Sequence, residues 1–111
     1  MELPGMPWVF LFTAGLLEIL ATTVFRYTEG MTKIGPMIGF FIVGFASLWC
    51  LSRSLETIPL GTAYAIWTGI GAAGTAALGI IAFQEPATAL RLGFIFGLIG
   101  CIVGLKLVSA N

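Results

Sequence analysis

The sequence predicts an all-α integral membrane protein, a bundle of four helices that each cross the bilayer. Three observations carry that prediction. Of the 111 residues, 59% are hydrophobic and only 9% are charged, and mean hydropathy is +1.06; a soluble domain carries roughly a quarter charged residues. So little polar surface cannot cover a water-soluble globule, and most of the exterior must face lipid. The charges also divide the chain into four apolar runs, 7–25, 34–51, 60–83 and 89–108. A hydrocarbon core about 30 Å thick needs roughly 20 helical residues, so each run is long enough to cross once. The runs lack the alternation of membrane β-strands and are too long for them. Helix is the remaining way to satisfy a backbone in lipid.

Before the first run there is no Lys or Arg and no small-residue cleavage site, so this segment is expected to stay in the mature protein. Trp8 and Tyr27 flank it as interfacial anchors. The breaks at 26–33, 52–59 and 84–88 are rich in turn formers or charge, and too short to hold a domain. Residues 1–111 are therefore expected to form a single four-span domain. Pro36, Pro59 and Pro86 are expected at helix starts, where a missing N–H costs little. Cys50 and Cys101 lie inside apolar runs and are expected to pack as small residues between helices. There is no His and no Asp, so no metal site is expected. With zero net charge and no basic stripe, nucleic acid has no footprint.

The loop charges give almost no orientation. The first and third loops share a side and carry Arg26, Lys33 and Arg91; the other side carries Arg53 and Lys106. The positive-inside rule needs an asymmetry, so the chain is expected either to insert both ways or to take its orientation from a partner. Dual insertion would produce an antiparallel dimer. The fourth span offers a contact surface, because Gly93 and Gly97, then Gly100 and Gly104, repeat the GxxxG spacing that lets helix backbones approach closely. Packing within one subunit explains the same spacing.

Glu18 is the exceptional residue. Ten residues past Trp8, it lies about 15 Å into the first helix, near the bilayer midplane. The other ionisable residues lie near span ends, where long cationic side chains reach the interface. A carboxylate at that depth costs several kcal/mol and marks an ion or proton pathway by default. Removal from water penalises the ionised form, so the group can exchange a proton, and once ionised it attracts a cation. Proton and cation then exclude each other, which is the minimal chemistry of an antiporter. Helical spacing places Leu11, Ala14, Gly15, Ala21, Thr22 and Phe25 around its face. Four of these are small, leaving room for a ligand or another helix.

In the third span Tyr64, Trp67 and Gly71 fall on one stripe. Aromatic faces attract cations, and the Tyr64 hydroxyl can bond a carboxylate. Gly69, Gly71 and Gly74 weaken this helix, which suits either a hinge or close packing. In the second span Ser47 offers a hydroxyl and Trp49 an aromatic face. They point roughly 200° apart at 100° per residue, so one subunit cannot aim both into one cavity.

The residues at 28–32 (Thr-Glu-Gly-Met-Thr), the buried Glu18 and above all the stretch 59–71 (Pro-Leu-Gly-Thr-Ala-Tyr-Ala-Ile-Trp-Thr-Gly-Ile-Gly) carry a resemblance. Over essentially its whole length the chain resembles the small multidrug resistance transporters. That resemblance implies a transporter rather than an enzyme, in a bacterial inner membrane, working as an antiparallel dimer with the fourth helix in the contact. It implies exchange of protons for small cationic substrates, with protons as coupling ion and no other cofactor. Glu18 from both subunits would bind proton or substrate in one pocket lined by Tyr64 and Trp67, with Ser47 and Trp49 differing between subtypes. The guanidinium exporters of the family have a Trp where this chain has Ala21. Ala21-Thr22-Thr23 and Trp49 look closer to the exporters of quaternary ammonium compounds, whereas Gln84-Glu85-Pro86 and the run after Trp67 look closer to the guanidinium branch. The absent Trp should widen the pocket, so larger lipophilic or aromatic cations are the first expectation. A guanidinium exporter is the second. A subunit of a paired heterodimer, inactive alone, is the third.

Overall fold

The computed structural model describes residues 5–109. Four helices follow one another: α1 (Met6–Arg26), α2 (Ile34–Ser54), α3 (Leu60–Ala82) and α4 (Ala89–Val108). All four are long and apolar enough to cross a membrane, and together they form an all-α, membrane-spanning bundle. The expected spans and these helices agree closely except at the end of α2, which runs on through Ser54. There the Ser52 and Ser54 hydroxyls donate back to the Trp49 and Leu51 carbonyls, at 2.9 and 2.6 Å. Arg53 lies over the rings of Phe10 and Trp49. Polar residues extend the helix here instead of breaking it.

Short loops make successive helices antiparallel. In the α1–α2 turn Thr28 is fully buried; its hydroxyl donates to the Phe25 carbonyl at 2.7 Å and accepts from the Met31 N–H at 3.1 Å. The tight reversal places Glu29, Gly30 and Met31 at φ of 49°, 75° and 66°, a left-handed run in which only Gly30 is free of steric cost. Pro59 caps α3, and Thr88 caps α4 by accepting the Arg91 N–H at 3.2 Å. Pro86 sits in the extended stretch ahead of that cap.

The bundle is a slab, 40 × 36 × 19 Å. α1 packs on both α2 and α3, whereas α4 packs chiefly on α3, with Lys106 Nζ reaching the Trp8 ring of α1 at 4.5 Å. The core is built from Leu11, Ala14, Cys50, Leu51, Ile58, Ala63, Ile66 and Ile102. Its contacts are rich in small residues (Ala14, Gly15, Ala21, Gly69, Gly71, Ala73), as expected where packing must replace a hydrophobic driving force. On α4 only Ile102 is buried. Cys50 is buried as expected, but Cys101 is exposed, because α4 leaves most of its surface uncovered, with Ile102 its one buried residue.

Candidate functional site

Glu18 sits half-buried in the middle of α1, and α3 makes room for it. A Cβ on Gly71 would come within 2.8 Å of the Glu18 Cγ, so the carboxylate stem crosses bare backbone. The other two glycines of this stretch behave alike: Gly69 receives Ile102 of α4, and Gly74 receives Ile19 of α1. α3 is uninterrupted from Leu60 to Ala82. Among the described residues no cation and no hydrogen-bond donor engages the Glu18 carboxylate.

Beside it lies an open cavity of about 440 Å³. Its lining combines Glu18 and Thr22 of α1 with Thr68, Gly71, Ala72, Thr75 and Ala76 of α3, and ends on Glu85 and Arg91. Thr22 and Thr68 spend their protons on their own helices, donating to the carbonyls of Glu18 (2.8 Å) and Tyr64. Their oxygen lone pairs remain as acceptors. Thr75 Oγ1 is shielded from solvent and has no partner among the described residues. A carboxylate among hydroxyl acceptors in a largely apolar wall is chemistry for a small cation bearing N–H donors.

The remaining residues singled out in the sequence divide between two places. Ser47 is fully buried; its hydroxyl donates to the Ala14 carbonyl at 2.7 Å and accepts from Trp67 Nε1 at 3.0 Å. This ties α1, α2 and α3 together one turn away from Glu18 and Gly71. Tyr64 stands against Trp67 with ring centroids 5.7 Å apart and is 54% exposed. Trp49 points elsewhere, edge-on to Phe10 at 5.8 Å. Glu18, Thr22 and Gly71 thus share the cavity wall within one subunit; Ala14, Ser47, Trp67, Tyr64 and Trp49 lie outside that wall. Among the described residues the four α4 glycines, Gly93, Gly97, Gly100 and Gly104, have nothing within 4 Å of where a Cβ would stand.

Sequence reasoning did not place Thr68, Ala72, Thr75, Ala76, Glu85 or Arg91 in the site. One signal was present: Tyr64, Thr68, Gly71 and Thr75 repeat at i, i+4, i+7 and i+11, a polar stripe on one helix face. Glu85 and Arg91 carried no such signal.

The family model for the Small Multidrug Resistance protein matches residues 6–99. The chain belongs to that family. It is 47% identical over 104 residues to a guanidinium exporter of Proteus vulgaris, covering 94% of this chain and all of that one. It is 40% identical to a guanidinium exporter of Yersinia pestis over the same shares. A probable guanidinium efflux system subunit of Bacillus licheniformis is 44% identical over 105 residues, again 94% of this chain and all of the relative. This small multidrug resistance protein is a multi-pass bacterial inner-membrane protein and a transporter, not an enzyme.

Proposed function

We propose that this protein exports guanidinium-type small cations in exchange for protons, with Glu18 holding proton and cation in turn. The observation that carries this reading is the Glu18 carboxylate, free of any ion pair among the described residues and facing a cavity walled by Thr22, Thr68 and Thr75. A planar guanidinium presents N–H donors in a fixed fork that matches carboxylate and hydroxyl acceptors. The expectation of larger lipophilic cations gives way to this alternative. It rested on Ala21 widening the pocket, yet Ala21 is 1% exposed, packed between helices and absent from the cavity wall. The named relatives favour the same alternative.

The working unit in this reading is an antiparallel dimer. Its support is the near-even distribution of loop charge and the bare glycine ridge of α4, on which a second copy would seat. Tyr64, Trp67 and Trp49 then serve as aromatic walls of a pocket shared with the partner copy. A pairing with a paralogue is the second reading, favoured by the relative described as an efflux system subunit.

Purified protein alone, in proteoliposomes under a pH gradient, tests all of this. Guanidinium uptake by the wild type, with tetraphenylphosphonium left outside, is expected; uptake of the lipophilic cation alone overturns the substrate reading. Silence with every cation despite verified folding points to the paired form. Glu18→Gln should insert normally and lose coupled exchange, and coupled exchange that survives the substitution overturns the role of Glu18.

A further inference from the structure

The cavity that holds Glu18 contains a second carboxylate, and the chain has already placed a guanidinium on it. Arg91 Nη2 donates to Glu85 Oε1 at 3.1 Å, and both residues line the same cavity as Glu18 and Thr22. Glu85 is held in place by the turn that ends α3. Gln84 adopts a left-handed φ of 58°, the Glu85 N–H donates to the Gly79 carbonyl at 3.1 Å, and the carboxylate lies where a Cβ on Gly79 would be. The acid is thereby folded back over the end of the helix, toward the cavity. Between it and Glu18 come Thr75 and Thr22. Two polar atoms of this wall, Thr75 Oγ1 and Arg91 Nε, are shielded from water and lack a partner among the described residues. The ion pair itself uses one N–H of the Arg91 fork, and its two side chains are 42% and 46% exposed. A pair so exposed is weak, whereas a free guanidinium can offer a carboxylate two parallel N–H bonds.

We propose that Glu85 is a capture site for the guanidinium-type cation at the mouth of the cavity, and that Arg91 is a tethered competitor occupying it until substrate arrives. This rests on the reading of Glu18 as the exchange site. The cation displaces Arg91 from Glu85, then moves past the Thr75 and Thr22 hydroxyls to Glu18. Arg91 returns to Glu85 behind it. Because the competitor is itself a guanidinium, the mouth favours the same fork-shaped donor that the exchange site accepts.

Substitution of the two partners separates capture from scaffolding. Guanidinium uptake is measured in proteoliposomes as KM and kcat for the wild type, Glu85→Gln, Arg91→Gln and Glu18→Gln. Loss of Glu85 removes the capture charge and should raise KM about fivefold, with a smaller change in kcat. Loss of Arg91 removes the competitor and should lower KM about threefold. A pair that only braces the loop would shift both variants in the same direction, so equal or same-sign KM changes overturn the proposal. Should Glu85→Gln fail to reconstitute, Arg91→Gln alone decides, and an unchanged or higher KM overturns it. Inactive Glu18→Gln beside unshifted Glu85 and Arg91 variants removes the capture site only. Coupled uptake that survives Glu18→Gln removes the underlying reading, and the capture site with it.

Discussion

Three glycines in the middle of α3 and the four of α4 stand in opposite situations. Gly69, Gly71 and Gly74 each take a side chain from another helix of the same chain: Ile102, Glu18 and Ile19. Gly93, Gly97, Gly100 and Gly104 take nothing among the described residues, on a helix whose one buried residue is Ile102. In lipid a glycine earns its place by what it lets approach. α3 has been given its contents by the fold, including the carboxylate that the proposed exchange depends on. α4 has a surface of the same kind, left bare, and that is why a second copy is proposed to seat there.

Substitution at Gly71 should have the largest effect. A Cβ there lies 2.8 Å from the Glu18 Cγ, so Gly71→Val must push the carboxylate stem aside or part α1 from α3. Overpacking of this kind costs about 1–3 kcal/mol, too little to unfold four spans held in lipid but enough to misplace the acid. Coupled guanidinium uptake should fall to the level of Glu18→Gln, while the protein still elutes as a folded species from a sizing column. Wild-type uptake in that variant would mean that the closeness of Gly71 and Glu18 has no part in function.

A smaller and different effect is expected on α4. Among the described residues a Cβ on Gly97 has nothing within 4 Å, so helix content and thermal stability should hold in Gly97→Leu. If a second copy covers the ridge, the bulk falls between subunits, and association in vesicles should weaken by about tenfold, or about 1.4 kcal/mol. Energy transfer between labelled copies measures this directly. Unchanged association would leave α4 facing lipid and would remove the dimer contact from this helix.

The contrast between the two helices is invisible in the sequence, although much else was legible. Charge spacing located all four spans, because a charge within hydrocarbon is expensive enough to be rare; the same cost singled out Glu18. Spacing identified glycines on α3 and α4 alike, but whether a glycine is filled depends on which helix lies opposite, and that is tertiary information. Thr75 was missed for a related reason. Hydroxyls in membrane helices commonly bond their own backbone, as Thr22, Thr23 and Thr68 do, so a threonine in the string does not announce that it is unpartnered. Glu85 entered only through the Gln84-Glu85-Pro86 resemblance, because its return toward the cavity depends on the left-handed Gln84 and on the bare backbone of Gly79, neither of which has a periodic signature. Ala21 misled in the opposite sense: the residue type suggested a wider pocket, but its position is inside the α1 packing.

The smallest effect should come from the hydrogen-bonded tie among α1, α2 and α3. Ser47 links α2 to the Ala14 carbonyl of α1 and to Trp67 of α3, and among the described residues no side-chain hydrogen bond joins α4 to another helix. Ser47→Ala leaves the Ala14 carbonyl with its helical partner but strips the Trp67 indole N–H of its acceptor. Interhelical hydrogen bonds in membranes contribute about 0.6 kcal/mol on average, so unfolding in mixed detergent should shift by roughly that amount. Subunit association should not change, because Ser47 and the α4 ridge lie on different contacts. Weakened association in Ser47→Ala would instead show that the α1–α2–α3 tie and the α4 surface respond together, and that filled and bare glycines are parts of one coupled assembly.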